Sequence, residues 1–209
     1  MASHAETAVN QSVQALVQRD HDLALRVKED DRIIDQFEVE IDDLVIQLLT
    51  KAPLASNLRL VTVAMKISQN LERVGDEASK IAKRARDLAQ EPPVKINLDL
   101  PRMAGMALAM LKSSLDAFVN KDPIAARAII PRDKEVDALN KQIHELLAQH
   151  MVAKPDAIGR CLNWMVACKS LERIADHAKN VAEEVVFLYE AQDIRHPGAK
   201  IPTTPAASA

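Results

Sequence analysis

Eight carboxylates in this 209-residue chain recur as four pairs, each spaced by four residues: Asp31 with Asp35, Glu72 with Asp76, Asp133 with Asp137, and Glu172 with Asp176. Residues at i and i+4 share one face of a helix, and like charges there cost roughly a few tenths of a kcal/mol per pair. A set of oxygen-only ligands suits a hard cation: Mg²⁺, Mn²⁺, Ca²⁺ or ferric iron. The competing reading is that Arg73 and Arg173, each one residue beyond a Glu, neutralise the acids instead.

The elements that must position these pairs are repeated. An offset of 102 sets Asp31 over Asp133, Asp35 over Asp137, Asp20 over Asp122 and Ile41 over Ile143. After Pro53 and Pro155 the offset becomes 100. Leu71-Glu72-Arg73 then falls on Leu171-Glu172-Arg173, and Asp76 on Asp176. Two related halves follow. We read residues 1–91 as one three-helix bundle, 92–98 as a linker, 99–192 as a second three-helix bundle, and 193–209 as a tail with a frayed Pro-, Thr- and Ala-rich end. Four glycines, and ten prolines mostly at segment edges, make the chain all-α.

In the first half, helices are expected over about 2–19, 22–50 and from near Ser56 or Asn57 to about 90. In the second, Asp99 or Leu100 with Pro101 opens a helix. Asp122-Pro123 caps another, which Pro131 kinks or splits, and the last runs from Lys154-Pro155-Asp156 to near Ala191. The third helix of each half carries a heptad: Ala64, Ile67, Leu71, Val74, Ala78, Ile81, Ala85 and Leu88, echoed by Trp164, Ala167, Leu171, Ile174, Ala178, Val181, Val185 and Leu188. A matching seam is expected on the second helix at Ile34, Phe37, Ile41, Leu44 and Leu48, and at Val136, Leu139, Ile143 and Leu146. In hairpins about 50 Å long that turn at Pro53 and Pro155, the pairs on facing helices lie at one height. Four carboxylates per half can therefore converge on a flank, outside the seam. Glu38 and Glu40 are weaker candidates, because their counterparts are Asn140 and Gln142.

Other chemistry is poorly represented. Net charge is −3 and aromatics are 2% of residues, which argues against nucleic acid. The nearly uncharged run 103–111 is too short to span a bilayer, and 1–11 lacks the features of a secretory signal. Cys161 and Cys168 lie about 10 Å apart along one helix, too far to bridge. They read as packing residues in a reducing, cytoplasmic setting. A ferritin-like di-iron enzyme needs Glu-x-x-His pairs, and no His here has a Glu three residues before it. His144, His150 and His177 read as surface or helix-edge residues, with His177 a weak ligand candidate beside Asp176. No phosphate loop, nucleophile elbow or HExxH motif is present. A carboxylate-bridged metalloenzyme or metal-storage bundle is the alternative to a non-catalytic metal-binding protein. Met106, Met110 and Leu111, spread around the fourth helix, suggest a homodimer.

The segments Leu71-Glu72-Arg73-Val74-Gly75-Asp76-Glu77-Ala78 and Leu171-Glu172-Arg173-Ile174-Ala175-Asp176-His177-Ala178 resemble the PhoU family. So do residues 29–35, 55–60 and 192–196. The resemblance covers nearly the whole chain in two tandem copies. It implies two three-helix bundles, acidic metal-cluster motifs and no catalysis. The metal motif carries onto Glu72, Asp76, Glu172 and Asp176, and by the pairing above onto Asp31, Asp35, Asp133 and Asp137. It implies a cytoplasmic negative regulator of phosphate uptake and of the phosphate-starvation response. The implied partners are the phosphate ABC transporter's ATPase subunit and a phosphate-sensing histidine kinase. Family members usually carry a longer stretch before the part matching Met1, so the resemblance implies either a short first helix here or a start that lies further upstream. Gly75 faces Ala175 where the family often has Gly twice; a helix-interior Gly costs about 1 kcal/mol, which close packing or ligand approach would explain.

Overall fold

The computed structural model describes residues 1–51 and 55–195. Helices are α1 (Ala2–Gln18), α2 (His21–Lys51), α3 (Ala55–Ala89), α4 (Leu100–Asn120), α5 (Pro123–Ile129), α6 (Asp133–Ala153) and α7 (Ile158–Glu190). Short 3₁₀ turns at Ile130–Arg132 and Pro155–Ala157 precede α6 and α7, and no strand occurs among the described residues. The turn at Pro53, the cap expected of Ser56 or Asn57, and the tail from 196 lie outside the described residues or side chains.

The two halves start alike. Arg19 and Lys121 take left-handed conformations, with φ of 60° and 57°, and end α1 and α4. The next residue caps the following helix. Asp20 Oδ1 accepts from the backbone N–H of Asp22 and Leu23, at 3.0 and 2.9 Å, and Asp122 Oδ1 from Ile124 and Ala125, at 3.0 and 2.9 Å. The halves then diverge at Pro131. It has no N–H and its ring crowds the preceding turn, so the long helix breaks into α5, a 3₁₀ turn and α6.

The α3 and α7 heptads are buried from Ile67 to Leu88 and from Ala167 to Leu188, with Ala64 and Trp164 half-buried. The seam expected on the second helix is corrected. Leu44, Leu48 and Leu146 are 56%, 53% and 46% exposed, while Val45 and Leu147 point inward at 4% and 0%. Ile34 to Val45 and Val136 to Leu147 are eleven-residue steps. A straight helix drifts away from a strict 3.5-residue repeat, and eleven residues in three turns, 3.67 per turn, follow it more closely.

On α1, Met1 reaches Ser68 and His4 packs on Phe37, with ring centroids 5.5 Å apart. Further out on the α2–α3 hairpin, Val39, Leu44, Ile46, Leu48, Leu58 and Leu60 are exposed among the described residues. Helix α4 turns Met110 and Leu111 fully inward, which removes the exposed apolar face expected there.

The halves join through α3 and α7, which run antiparallel. Lys66 meets Glu184, Arg173 meets Glu77, and Arg84 meets Asn163. The link between Ala89 and Leu100 is tied where it leaves α3. Arg19 donates to the carbonyls of Leu88 and Glu91, and Arg160 to that of Pro92 at 3.1 Å.

Candidate functional site

Each half brings its predicted carboxylates to one flank, as the hairpin geometry requires. In the first, Asp31 and Asp35 on α2 face Glu72 and Asp76 on α3. Burial pushes the Asp31 carboxyl up, against a 2.8 Å hydrogen bond from the Ser79 hydroxyl, and the charges of Asp35 and Asp76 add to the rise. Glu72 is raised by burial and then by Asp76, Glu38 and Asp35. Glu38, weakened by its Asn140 counterpart, is thus a fifth member of this cluster.

Gly75 explains the close approach of α2. A Cβ there would lie 2.8 Å from Asp31 Oδ1 and 2.9 Å from Ile34 Cδ1. The missing methyl makes room for the acidic side chain and the core residue beneath it.

In the second half, burial raises Asp137 and Asp176, and the charges of Asp133 and Glu172 add to both. The cluster carries its own cations. The Lys179 ammonium donates to Asp133 Oδ2 at 2.9 Å and is itself raised, first by that bond. Lys169 pairs with Glu172. Asp133 is 5% exposed, and its Oδ1 has no partner among the described residues. Lys179 stands at the repeat position of Ser79, so a neutral hydroxyl in one half is an ammonium in the other.

No group of three or more His, Cys, Asp or Glu is arranged as a ready metal cage among the described residues. The donor sets nonetheless suit a hard cation: oxygen atoms only, part-buried, mutually repelling, and best compensated by positive charge.

Neither Arg73 nor Arg173 ion-pairs with the acids beside it. Both line a cleft of about 450 Å³ between α3 and α7 with Asp76, Asp176, Lys80 and His177. Arg173 donates to Glu77 Oε1 at 3.2 Å. Burial alone would raise the Glu77 carboxyl, but hydrogen bonds from Lys80, Ser170 and Arg173 outweigh it and hold it down. His177 is placed in this cleft rather than at a helix edge. Its Nδ1 is 3.0 Å from Asn70 Oδ1, and burial, then Arg73, lower its pKa. Both cysteines are buried and free, and burial pushes the Cys168 thiol up to about 12, which makes it inert.

The PhoU domain family model matches residues 1–85 and 100–185, one copy per half. The chain belongs to the PhoU family. It is 39% identical over 200 residues to the phosphate-specific transport system accessory protein PhoU homolog of Pseudomonas aeruginosa, covering 95% of this chain and 83% of that one. It is 33% identical over 199 residues to the phosphate-specific transport system accessory protein PhoU of Escherichia coli, with the same coverage. The crystal structure of PhoU from Pseudomonas aeruginosa superimposes with a TM-score of 0.89 at 38% identity, over 92% of this chain and 93% of that one. The phosphate transport system regulatory protein PhoU from Streptococcus pneumoniae does so with a TM-score of 0.87 at 25% identity, over 93% and 92%. No described helix is long and apolar enough to cross a membrane.

Proposed function

We propose that this chain is a non-catalytic, cytoplasmic negative regulator of phosphate uptake and of the phosphate-starvation response. It acts as an adaptor between the ATPase subunit of a phosphate ABC transporter and a phosphate-sensing histidine kinase. The observation that carries this reading is the family match in both halves, along nearly the whole chain. Deleting the gene should make phosphatase expression constitutive in phosphate-rich medium. Normal repression with unchanged phosphate uptake would defeat the adaptor reading.

A hard cation bound at the acidic flanks belongs to the same proposal. Asp31, Asp35, Glu72 and Asp76 would hold it in the first half, and Asp133, Asp137, Glu172 and Asp176 in the second. A cation would relieve the repulsion that raises Asp31, Glu72, Asp137 and Asp176 and would clamp the two helices of each hairpin. The flanks lie beside the core rather than within it, which favours an adaptor over a carboxylate-bridged enzyme or storage bundle. Glu72→Ala with Asp76→Ala should lose metal by elemental analysis and lose the metal-dependent rise in melting temperature. Full metal content and partner binding in both this variant and Glu172→Ala with Asp176→Ala would make the clusters plain solvated surface.

Self-association as a homodimer completes the proposal, and the exposed apolar side chains of the outer α2–α3 hairpin support it. A monomeric mass by light scattering across micromolar concentrations would exclude it.

A further inference from the structure

Beside the first acidic flank lies a groove of a different character. It is a cavity of about 340 Å³ between α2 and α3, lined by Lys28, Ser79, Lys80, Lys83 and Arg86 with Asp76 at its edge. Lys80 is committed to Glu77 at 2.9 Å and lies 4.0 Å from Asp76. Lys28, Lys83 and Arg86 have no hydrogen-bond or ion-pair partner among the described residues, and the Nε of Arg86 is buried without an acceptor. Unpaired cations gathered around a cavity repel one another, and a buried guanidinium nitrogen without an acceptor costs free energy. Both are relieved by an anion.

The second half places and pairs its charges differently. At the repeat positions of Lys28, Lys80, Lys83 and Arg86 stand Ile130, Asn180, Glu183 and Val186. The corresponding groove there has Arg127, Lys134 and Lys179 on its wall, but Lys179 is paired with Asp133, Arg127 is tied to Glu190 and Gln192, and Ile130 and Ile194 make the rest of that wall apolar. Four cations in one half against none at the same places in the other is a specific difference, not a general property of this helix pair.

We propose that the Lys28–Lys83–Arg86 groove binds a phosphoryl group. A compact, multiply charged tetrahedral oxyanion can take a guanidinium N–H and two ammonium groups at once, and charge-assisted bonds of this kind are the strong ones. The α2–α3 groove is open to solvent at Lys28 and Lys83, which are exposed, with Arg86 half-buried behind them; its donors stand on two helices, so an occupant would also join them. The inference rests on the phosphate-regulatory reading only for choosing phosphate among tetrahedral oxyanions. It needs neither the adaptor role nor bound metal.

The test is calorimetric titration of inorganic phosphate into the full chain, stripped of metal with a chelator and held at constant ionic strength. One site per chain is expected. Lys83→Glu and Lys28→Ile, which install the second half's residues, should each weaken it at least tenfold at unchanged melting temperature. Lys112→Glu on α4 should leave it unchanged. A parallel arm sediments the chain with phosphatidylcholine vesicles, with and without phosphatidylglycerol. Binding only to the anionic vesicles, lost in the same two variants, would assign the phosphoryl group to a lipid headgroup rather than to free phosphate. Absence of binding in both arms, or binding that survives both Lys83→Glu and Lys28→Ile, would overturn the proposal. Metal loading is measured separately, so a chain that binds phosphate but no cation would break the metal reading and leave this one standing.

Discussion

At one register of the repeat, Ser79 gives Asp31 a neutral hydroxyl, while Lys179 gives Asp133 a full positive charge. A few residues along, Lys83 faces Glu183 and Arg86 faces Val186 across the same correspondence. The fold is kept and the electrostatics are redistributed. In the first half, acids crowd together with little compensation and unpaired cations gather beside them. In the second, lysines already occupy the acids and the segment after α7 lies over the groove. Two copies of one hairpin can thus differ in what they leave for a ligand while sharing the same buried spine.

The largest effect should come from the seam that distinguishes inner from outer positions. Leu147→Ala removes a fully buried side chain and should cost about 2–5 kcal/mol in denaturant unfolding. Leu44→Ala, at an exposed position, should stay within about 0.5 kcal/mol. Comparable losses at both would mean that the outer hairpin is covered in solution.

Exchanging the distinguishing residue should come next. Ser79→Lys should weaken cation binding at the first flank at least tenfold, about 1.4 kcal/mol, because it places an ammonium against Asp31. Lys179→Ser should strengthen binding at the second by a similar factor. Metal stoichiometry and affinity, read on each single variant by titration, check both.

A smaller effect concerns pH in the metal-free protein. Asp31, Glu72, Asp137 and Asp176 have folded pKa values above their ordinary ones, so the folded state holds more protons than the unfolded state in the mildly acid range. Through these groups, stability falls as pH rises through the raised values and is regained on acidification towards the ordinary carboxylate range. His177, lowered by burial, works the other way as pH drops below its ordinary value. Glu77, lowered, loses its contribution only at more acid pH. Glu72→Gln should therefore gain less melting temperature on acidification than wild type, which isolates the acidic term. Identical pH profiles would show the flank to be fully hydrated.

The smallest effect is expected at Gly75→Ala. Helix propensity gains about 1 kcal/mol, and the overlap with Asp31 Oδ1 and Ile34 Cδ1 gives it back. Net stability should change by less than about 1 kcal/mol while cation affinity at the first flank falls, because the carboxylate is displaced.

Much of this was legible in the residues. Asp122 marks a helix start because a short carboxylate caps backbone N–H groups wherever it falls, and Pro131 breaks a helix by its covalent structure; Asp20, expected only to end the first helix, also caps the second. The α3 and α7 spines follow their heptads because each packs against helices on several sides. The acidic pairs of facing helices do lie at one height, close enough for Asp76 to act on Asp31 and Glu172 on Asp137. On α2 and α6 the pattern misled. Leucines at 44, 48 and 146 keep the heptad spacing, but the helices drift and Val45 and Leu147 take the inner places. Ion pairing was illegible where it crosses between halves. Arg173 is drawn to Glu77 and His177 to Asn70 by the α3–α7 contact, which no local spacing reports. The exchange of Ser79 for Lys179 is visible in the repeat offset alone.

The antiparallel meeting of α3 and α7 has the form of an isologous dimer contact, with residues 73, 76, 77 and 80 meeting 173, 176, 177 and 180 about a pseudo-two-fold axis. In a true homodimer of one repeat, both sides must carry identical residues, so Glu77 would meet the partner copy of Arg73 twice. Here one contact keeps its ion pair, Glu77 with Arg173, while the reciprocal place holds His177. Covalent joining through residues 90–99 releases the two sides from that identity. A single polypeptide can therefore hold unlike electrostatic environments on a shared, nearly symmetric frame, a division of labour that a symmetric assembly of the same repeat could not encode.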